Sequence, residues 1–179
     1  WNKVLSYATR EYFVLFSDDD IMEPEFLEEM IKLSDKYPDV HLFHARVRVI
    51  DSKNEALRVI PSAPEYESCA DFIWHRIRSY REQFAQDFMI RTSELKKIGG
   101  FVDLPNAWGS DDATMFKIAN INGVVATNKI LINWRFSGTN LSSKPNIKEK
   151  LNSNFLYRKW IEDFVKNELT YSKKEKILV

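Results

Sequence analysis

Apolar residues recur along this chain in short blocks, and their spacing switches several times between the period of a strand and that of a helix. Val4, Leu5 and Ala8 share one side of a short helix predicted over residues 2–10. It leads into the run Tyr12, Phe13, Val14, Leu15 and Phe16, which reads as a buried strand ending at Ser17, Asp18, Asp19 and Asp20. Pro24 suits the first turn of a helix reaching about Tyr37, with Glu23, Glu25, Glu28 and Glu29 at its positive end and Phe26, Leu27, Met30 and Ile31 as its apolar stripe. Pro38 stops that helix. Residues 40–50 then read as a strand, 51–54 as a polar turn and 56–60 as a return strand.

Pro61 and Pro64 mark a loop before a helix over residues 69–80, in which Phe72, Ile73, Arg76, Ile77 and Tyr80 mix apolar and basic positions. Residues 87–90 form a short strand, and 93–98 one or two helical turns that end at Gly99 and Gly100. A helix follows over residues 110–122, with Ser110 as its N-cap, Gly123 as its stop, and Ala113, Met115, Phe116, Ile118 and Ala119 as apolar positions. Strand character returns at 124–126 and 130–136. A Ser-, Gly- and Asn-rich loop leads to an amphipathic helix over 147–169 with Leu151, Phe155, Trp160, Ile161 and Phe164 on its apolar face, and Lys173, Lys174 and Lys176 fall in a solvated tail. This order predicts an α/β fold: a central mixed sheet flanked by helices over residues 1–145, then a C-terminal helix and tail over 146–179.

Composition narrows the partners. With 44% hydrophobic and 13% aromatic residues in 179, the chain can bury a sizeable core. Its 26 basic residues cancel 26 acidic ones, so no net field draws nucleic acid, which is not an expected partner. The single cysteine, Cys69, excludes an intrachain disulfide and is expected to be a small buried filler. No run of about 18 apolar residues is present, and the start at Trp1 has neither a signal-peptide pattern nor an initiating methionine, so the chain reads as a piece of a longer one.

Candidate chemistry lies in two acidic groups. On an extended chain Asp18 and Asp20 would face one way and Asp19 the other, forming an Asp-x-Asp. Such carboxylates are hard ligands for Mg²⁺ or Mn²⁺, which take one or two of them and complete their shells with water and phosphate. The alternative is a solvated acidic turn in which Asp20 or Glu23 helps to start the next helix. Asp111 and Asp112 stand at the start of a predicted helix, where acids commonly serve the exposed first-turn amides. Before them, Trp108 and Gly109 place a planar apolar surface on a flexible loop, which suits a sugar face. His41, His44 and His75 lack the spacing of a metal motif.

Ser17-Asp18-Asp19-Asp20, Pro24 with Phe26-Leu27, Ile98-Gly99-Gly100-Phe101 and Trp108-Gly109-Ser110-Asp111-Asp112 together resemble the family 2 glycosyltransferases of the GT-A fold, over residues 1–137. The resemblance implies that Asp18 and Asp20 bind the nucleotide sugar, expected to be a UDP-sugar, together with a Mn²⁺ or Mg²⁺ held by Asp20 and Asp18. It makes Asp112 the catalytic base, Asp111 the residue that orients the acceptor hydroxyl, and Trp108 and Gly109 part of the acceptor pocket. Arg135 falls where some relatives contact the diphosphate, and its other reading is a surface arginine at a strand end. The implied reaction is an inverting transfer to a saccharide or lipid-linked acceptor, in bacterial polysaccharide synthesis, in the cytoplasm or at the inner face of the membrane.

The resemblance also implies that the strands binding the nucleobase lie outside this chain, leaving an exposed sheet edge prone to self-association. Residues 61–80, with Trp74, His75, Arg76 and Tyr80, are expected to border the acceptor site. Two other readings stand beside this one. A haloacid dehalogenase type of phosphatase also uses Asp-x-Asp after a strand, but position 22 is Met where that motif has Thr or Val. The other is a folded but inactive unit that binds sugar or a partner.

Overall fold

A computed structural model describes residues 1–136 and 147–170. Its centre is the parallel pair of β3 (Leu42–Ile50) and β7 (Val124–Arg135), in register from Phe43 opposite Val125 to Ile50 opposite Arg135, with irregularities around Arg46. Helices cover both faces of this pair, and accordingly β3 is apolar on both: Leu42, Phe43, Ala45, Val47, Val49 and Ile50 are all buried. The seven-stranded sheet has the order β1-β6-β3-β7-β2, where β1 is Tyr12–Phe13, β2 is Ile21–Met22 and β6 is Phe88–Arg91. The other two of the seven pair off this path, β4 (Ala56–Val59) on β3 and β5 (Tyr66–Glu67) on β7. Every pairing except β3 with β7 is antiparallel.

Alternation along the strands separates two cores. On one face Leu42, Phe88 and Ile90 meet Phe72 and Ile73 of α3 (Cys69–Ile77), Met115 and Phe116 of α5 (Ser110–Asn122), and Ile161 and Phe164 of α6 (Ile147–Asn167). On the other, Phe43, Ala45, Val47 and Met89 meet Phe26 and Met30 of α2 (Phe26–Lys36). Short α1 (Asn2–Ser6) and α4 (Thr92–Lys97) close the first face through Leu5 and Leu95. Cys69 is buried there, its Sγ donating to the Phe116 carbonyl at 3.3 Å.

The observed architecture is the expected mixed sheet with flanking helices, and several local expectations change. The strand expected over 12–16 stops at Phe13, after Tyr12 and Phe13 pair with Arg91 and Ile90. The chain then leaves the β1 margin, turns at residues 18–20 and joins the opposite margin as β2. In α2 the buried positions are Phe26, Met30 and Ser34, while Leu27 and Ile31 are 58% and 39% exposed. Helix α5 is capped by Gly109 in the left-handed region (φ 75°), not by Ser110, whose Oγ instead accepts from the Leu104 N–H at 3.1 Å. Strand character at 124–126 and 130–136 merges into the single strand β7.

Helix α6 departs most from its predicted face. Ile161 and Phe164 are buried, but Leu151 and Phe155 face solvent, and Ser153 is buried instead. The first half of α6 docks on a polar surface, where Ser153 Oγ accepts from Asn106 Nδ2 at 3.2 Å. The Ser-, Gly- and Asn-rich loop and the lysines of the tail lie outside the described residues. No helix among the described residues is long and apolar enough to cross a membrane.

Candidate active site

The first acidic group sits in the turn between β1 and β2. Because residues 18–20 are not in a strand, their side chains do not alternate as an extended Asp-x-Asp would. Asp18 and Asp19 are exposed and together line a cleft of about 480 Å³ with Trp1, Leu15, Phe16, Ser17 and Ala85. Asp20 is drawn inward: one carboxylate oxygen accepts from the Arg135 backbone N–H at 2.7 Å and the other from the Gln86 side-chain amide. Burial pushes the Asp20 pKa up to about 6, opposed by the Arg135 N–H and reinforced by the charge of Asp19. The Arg135 guanidinium holds the turn from the other side, donating to the carbonyls of Asp19 at 2.7 Å and Asp51 at 2.8 Å.

The second group is built differently. Asp112, in the first turn of α5, is 2% exposed and accepts from four donor atoms. Arg76 reaches it as a fork, Nε to Oδ1 and Nη2 to Oδ2, each at 2.9 Å. Gln83 Nε2 donates to Oδ1 and the Tyr157 hydroxyl to Oδ2, both at 2.7 Å. Burial opposes the Arg76 cation, yet the charge and hydrogen bonds of Asp112 keep its pKa above the ordinary value. Burial and then the Asp112 charge raise that of the Tyr157 phenol. Asp111, half-buried beside this pair, has its pKa pushed up to about 7 by burial and by the charge of Asp112.

Around the pair, Trp108 donates its indole N–H to Asn154 Oδ1 at 2.7 Å, and the Lys150 ammonium lies 5.8 Å from its ring centre. A Cβ on Gly109 would come within 2.5 Å of the Tyr157 ring, so this glycine is required both by its φ and by the approach of α6. Of the four residues expected to border the acceptor site from 61–80, Arg76 alone contacts an acidic-pair carboxylate among the described contacts. Trp74 is exposed with Arg78 stacked over it at 4.4 Å, Tyr80 is exposed, and His75 Nδ1 meets the Asp71 carbonyl at 2.7 Å.

Residues 81–87 join the two groups. Gln83 reaches Asp112 and Gln86 reaches Asp20, and Asp87 is fully buried against His44 Nε2 at 3.1 Å and the Phe84 N–H at 3.0 Å. Neither glutamine stands out in the sequence. Asp87 carried a legible signal, an acid opening an apolar strand, whereas Tyr157 was one aromatic in a long amphipathic helix.

Among the described residues no three His, Cys, Asp or Glu side chains converge into a metal cage. Asp18 and Asp19 at the cleft and Asp20 behind them are nevertheless hard oxygen donors, which suits a Mg²⁺ or Mn²⁺ that needs only one or two carboxylates beside phosphate and water.

The fold is similar to solved structures of S. aureus TarS. The TarS 1-349 complex with UDP shares 12% identity at a TM-score of 0.57, covering 98% of this chain and 55% of that one. TarS 1-349 alone shares 14% at 0.55 with the same coverage, and TarS shares 14% at 0.53, covering 97% of this chain and 31% of that one. At such identities the likeness is one of GT-A-like fold, and this chain spans about half of the first two. No curated protein sequence matches. The model of Glycosyl transferase family 2 matches residues 1–102, taking in the Asp18–Asp20 turn and the Gly99-Gly100-Phe101 bend and stopping short of Asp111. That match covers more than half of the 179 residues, and the chain belongs to glycosyltransferase family 2.

Proposed function

We propose that the intact protein is an inverting glycosyltransferase that moves a sugar from a nucleoside-diphosphate donor to the hydroxyl of a saccharide or lipid-linked acceptor. The observation that carries this reading is the turn at residues 83–86, which contacts the donor-side carboxylate Asp20 with one end and the acceptor-side carboxylate Asp112 with the other. UDP, present in one TarS structure, is the nucleotide expected here.

Asp112 takes the proton of the acceptor hydroxyl as its oxygen bonds to the anomeric carbon, and the bond from that carbon to the diphosphate breaks on the opposite face. An incoming hydroxyl would take the place of the Tyr157 hydroxyl on Oδ2. Asp111 orients that hydroxyl, and Trp108 and Gly109 shape the surface against which the acceptor ring lies. Asp20 and Asp18 would hold Mn²⁺ or Mg²⁺, which when bound supplies positive charge against the leaving diphosphate. Arg135 adds charge on the same side. Action in the cytoplasm, at the inner face of a membrane, fits a lipid-linked acceptor. The β1 margin of the sheet, paired on one side only among the described residues, is where further strands or a second copy would add.

The test is an assay of the intact protein against a panel of nucleotide sugars, with Asp20→Asn, Asp111→Asn and Asp112→Asn. Loss of the base should reduce turnover by about 10²–10⁴ fold. Wild-type turnover by both Asp20→Asn and Asp112→Asn would sink the reading. A second reading, a folded unit that binds sugar without transferring it, is favoured by the saturation of Asp112 with four donor contacts. UDP binding that needs Mn²⁺ in the intact protein separates the two, since only the transferase requires it.

A further inference from the structure

The two acidic groups are held by one short piece of chain, and its construction points to a role that neither group reveals alone. Resting on the transferase reading above, we infer that Gln83 and Gln86 are positioning residues: Gln86 aims the donor-side carboxylate, Gln83 aims the acceptor-side carboxylate, and the turn between them sets their separation. Only Phe84 and Ala85 intervene, so the two amides cannot move independently by more than a turn allows.

The turn is fixed at three points. The Phe84 ring stacks on Trp134 at 4.4 Å between centres, with 18° between planes, and Trp134 immediately precedes the Arg135 N–H that holds Asp20. The Phe84 N–H donates to both oxygens of Asp87, at 3.0 and 3.1 Å. Asp87 is itself fully buried against His44 in the central strand β3. Upstream, Arg81 pairs with the buried Glu67 and Glu82 with Arg58, both at 2.5 Å. A segment outside regular strands and α-helices is thereby tied to β3, β4, β5 and β7 at once.

Residue type supports the same assignment. Gln86 is 3% exposed, and burying an amide is costly unless its hydrogen bonds serve something. Both donors to Asp20, the Arg135 backbone N–H and the Gln86 amide, are neutral. They orient the carboxylate without forming an ion pair with it, as a residue that must meet a cation requires, whereas lysine or arginine at position 86 would neutralise it. Asp112 already has the Arg76 cation, and there Gln83 adds a direction to Oδ1 without adding charge.

The experiment uses the full-length protein with Gln86→Met and Gln83→Met, near-isosteric changes that delete the donor. UDP binding in the presence of Mn²⁺ is measured by calorimetry, and kcat and acceptor KM by transfer. Gln86→Met should weaken Mn²⁺-dependent UDP binding by about 10-fold to 100-fold and leave acceptor KM unchanged. Gln83→Met should leave UDP binding unchanged and lower kcat. If Gln86→Met unfolds, Gln86→Asn, which keeps the amide but shortens its reach, should give the same split at smaller amplitude. Two variants that impair both properties alike, or neither, would overturn the inference while the transferase reading stood. Wild-type protein that binds no UDP with Mn²⁺ would overturn that reading and the donor half of this inference with it.

Discussion

The turn at Asp18–Asp20 and the pair Asp111–Asp112 look alike as text, each a run of adjacent aspartates, and the molecule treats them in opposite ways. At the turn, water solvates two of the acids and neutral donors serve the third. At the pair, Asp112 is sealed from water and neutralised by Arg76, with Gln83 and Tyr157 completing its shell. Adjacent negative charges repel, and solvation and ion pairing are two distinct remedies. The first costs the fold little and leaves charge available to a cation. The second makes folding depend on every partner that was brought in.

The sharpest way to break this contrast is Arg76→Ala. It leaves Asp112 buried without a counter-ion, and removal of one member of a buried pair costs about 3–5 kcal/mol. Urea denaturation should show that loss as an earlier midpoint with a similar slope. A change under about 1 kcal/mol would mean that Asp112 is not sealed, since exposed pairs contribute no more than that.

Next in size is Gly109→Ala. Its φ of 75° strains any side chain, and the new Cβ would meet the Tyr157 ring at 2.5 Å, so strain and overpacking together should cost about 2–4 kcal/mol. Gly99→Ala is the matched control: its φ is 91° but nothing lies within 4 Å of the added Cβ, which leaves strain alone, roughly 1–3 kcal/mol. The excess at 109 measures how firmly α6 presses Tyr157 onto the acidic pair, and equal losses at the two glycines would show that α6 yields.

What was legible in the sequence follows from the range of each signal. Helix α5 runs from Ser110 to Asn122 as its apolar positions and the stop at Gly123 predict, because the limits of a helix are written in residues close in sequence. Both acidic groups were visible as residue types. Of the partners of Asp112, Arg76 was expected beside the acceptor site, whereas Gln83 and Tyr157 were not visible, since they lie 29 and 45 residues away and meet Asp112 only through packing. Hydrophobicity also misassigned two faces. Leu27 and Leu151 are exposed while Ser34 and Ser153 are buried, because small side chains let α2 and α6 approach their neighbours and local period cannot register what the neighbour offers. The apolar run after Tyr12 read as a strand to residue 16, but only Tyr12 and Phe13 find a pairing partner in the sheet.

A third effect, intermediate in size, is electrostatic. The Asp111 pKa rises from an ordinary 3.8 to about 7 in the folded chain, so the native state binds its proton more tightly than the unfolded state does. Stability from this group is fully present below about pH 4 and is lost as the pH rises towards 7. Asp111→Asn cannot titrate, so its stability should exceed that of the wild type increasingly over that interval, as read by denaturation at a series of pH values. A parallel course for the two proteins would show that Asp111 is solvated like Asp19.

The smallest expected effect is also the one that completes the contrast. Asp18 is exposed at the mouth of the cleft, and a surface substitution away from caps, cores and ion pairs changes stability by no more than about 0.5 kcal/mol. Asp18→Asn should therefore be silent in urea denaturation. If the solvated acids are kept for a cation and a diphosphate, the same substitution should weaken Mn²⁺-dependent UDP binding in the intact protein. A residue that contributes to binding and nothing to folding is what solvent-held charge allows, because its desolvation is deferred to the moment the ligand arrives. A destabilisation comparable to that of Arg76→Ala would place Asp18 in the same physical class as Asp112, and the distinction between the two acidic groups would collapse.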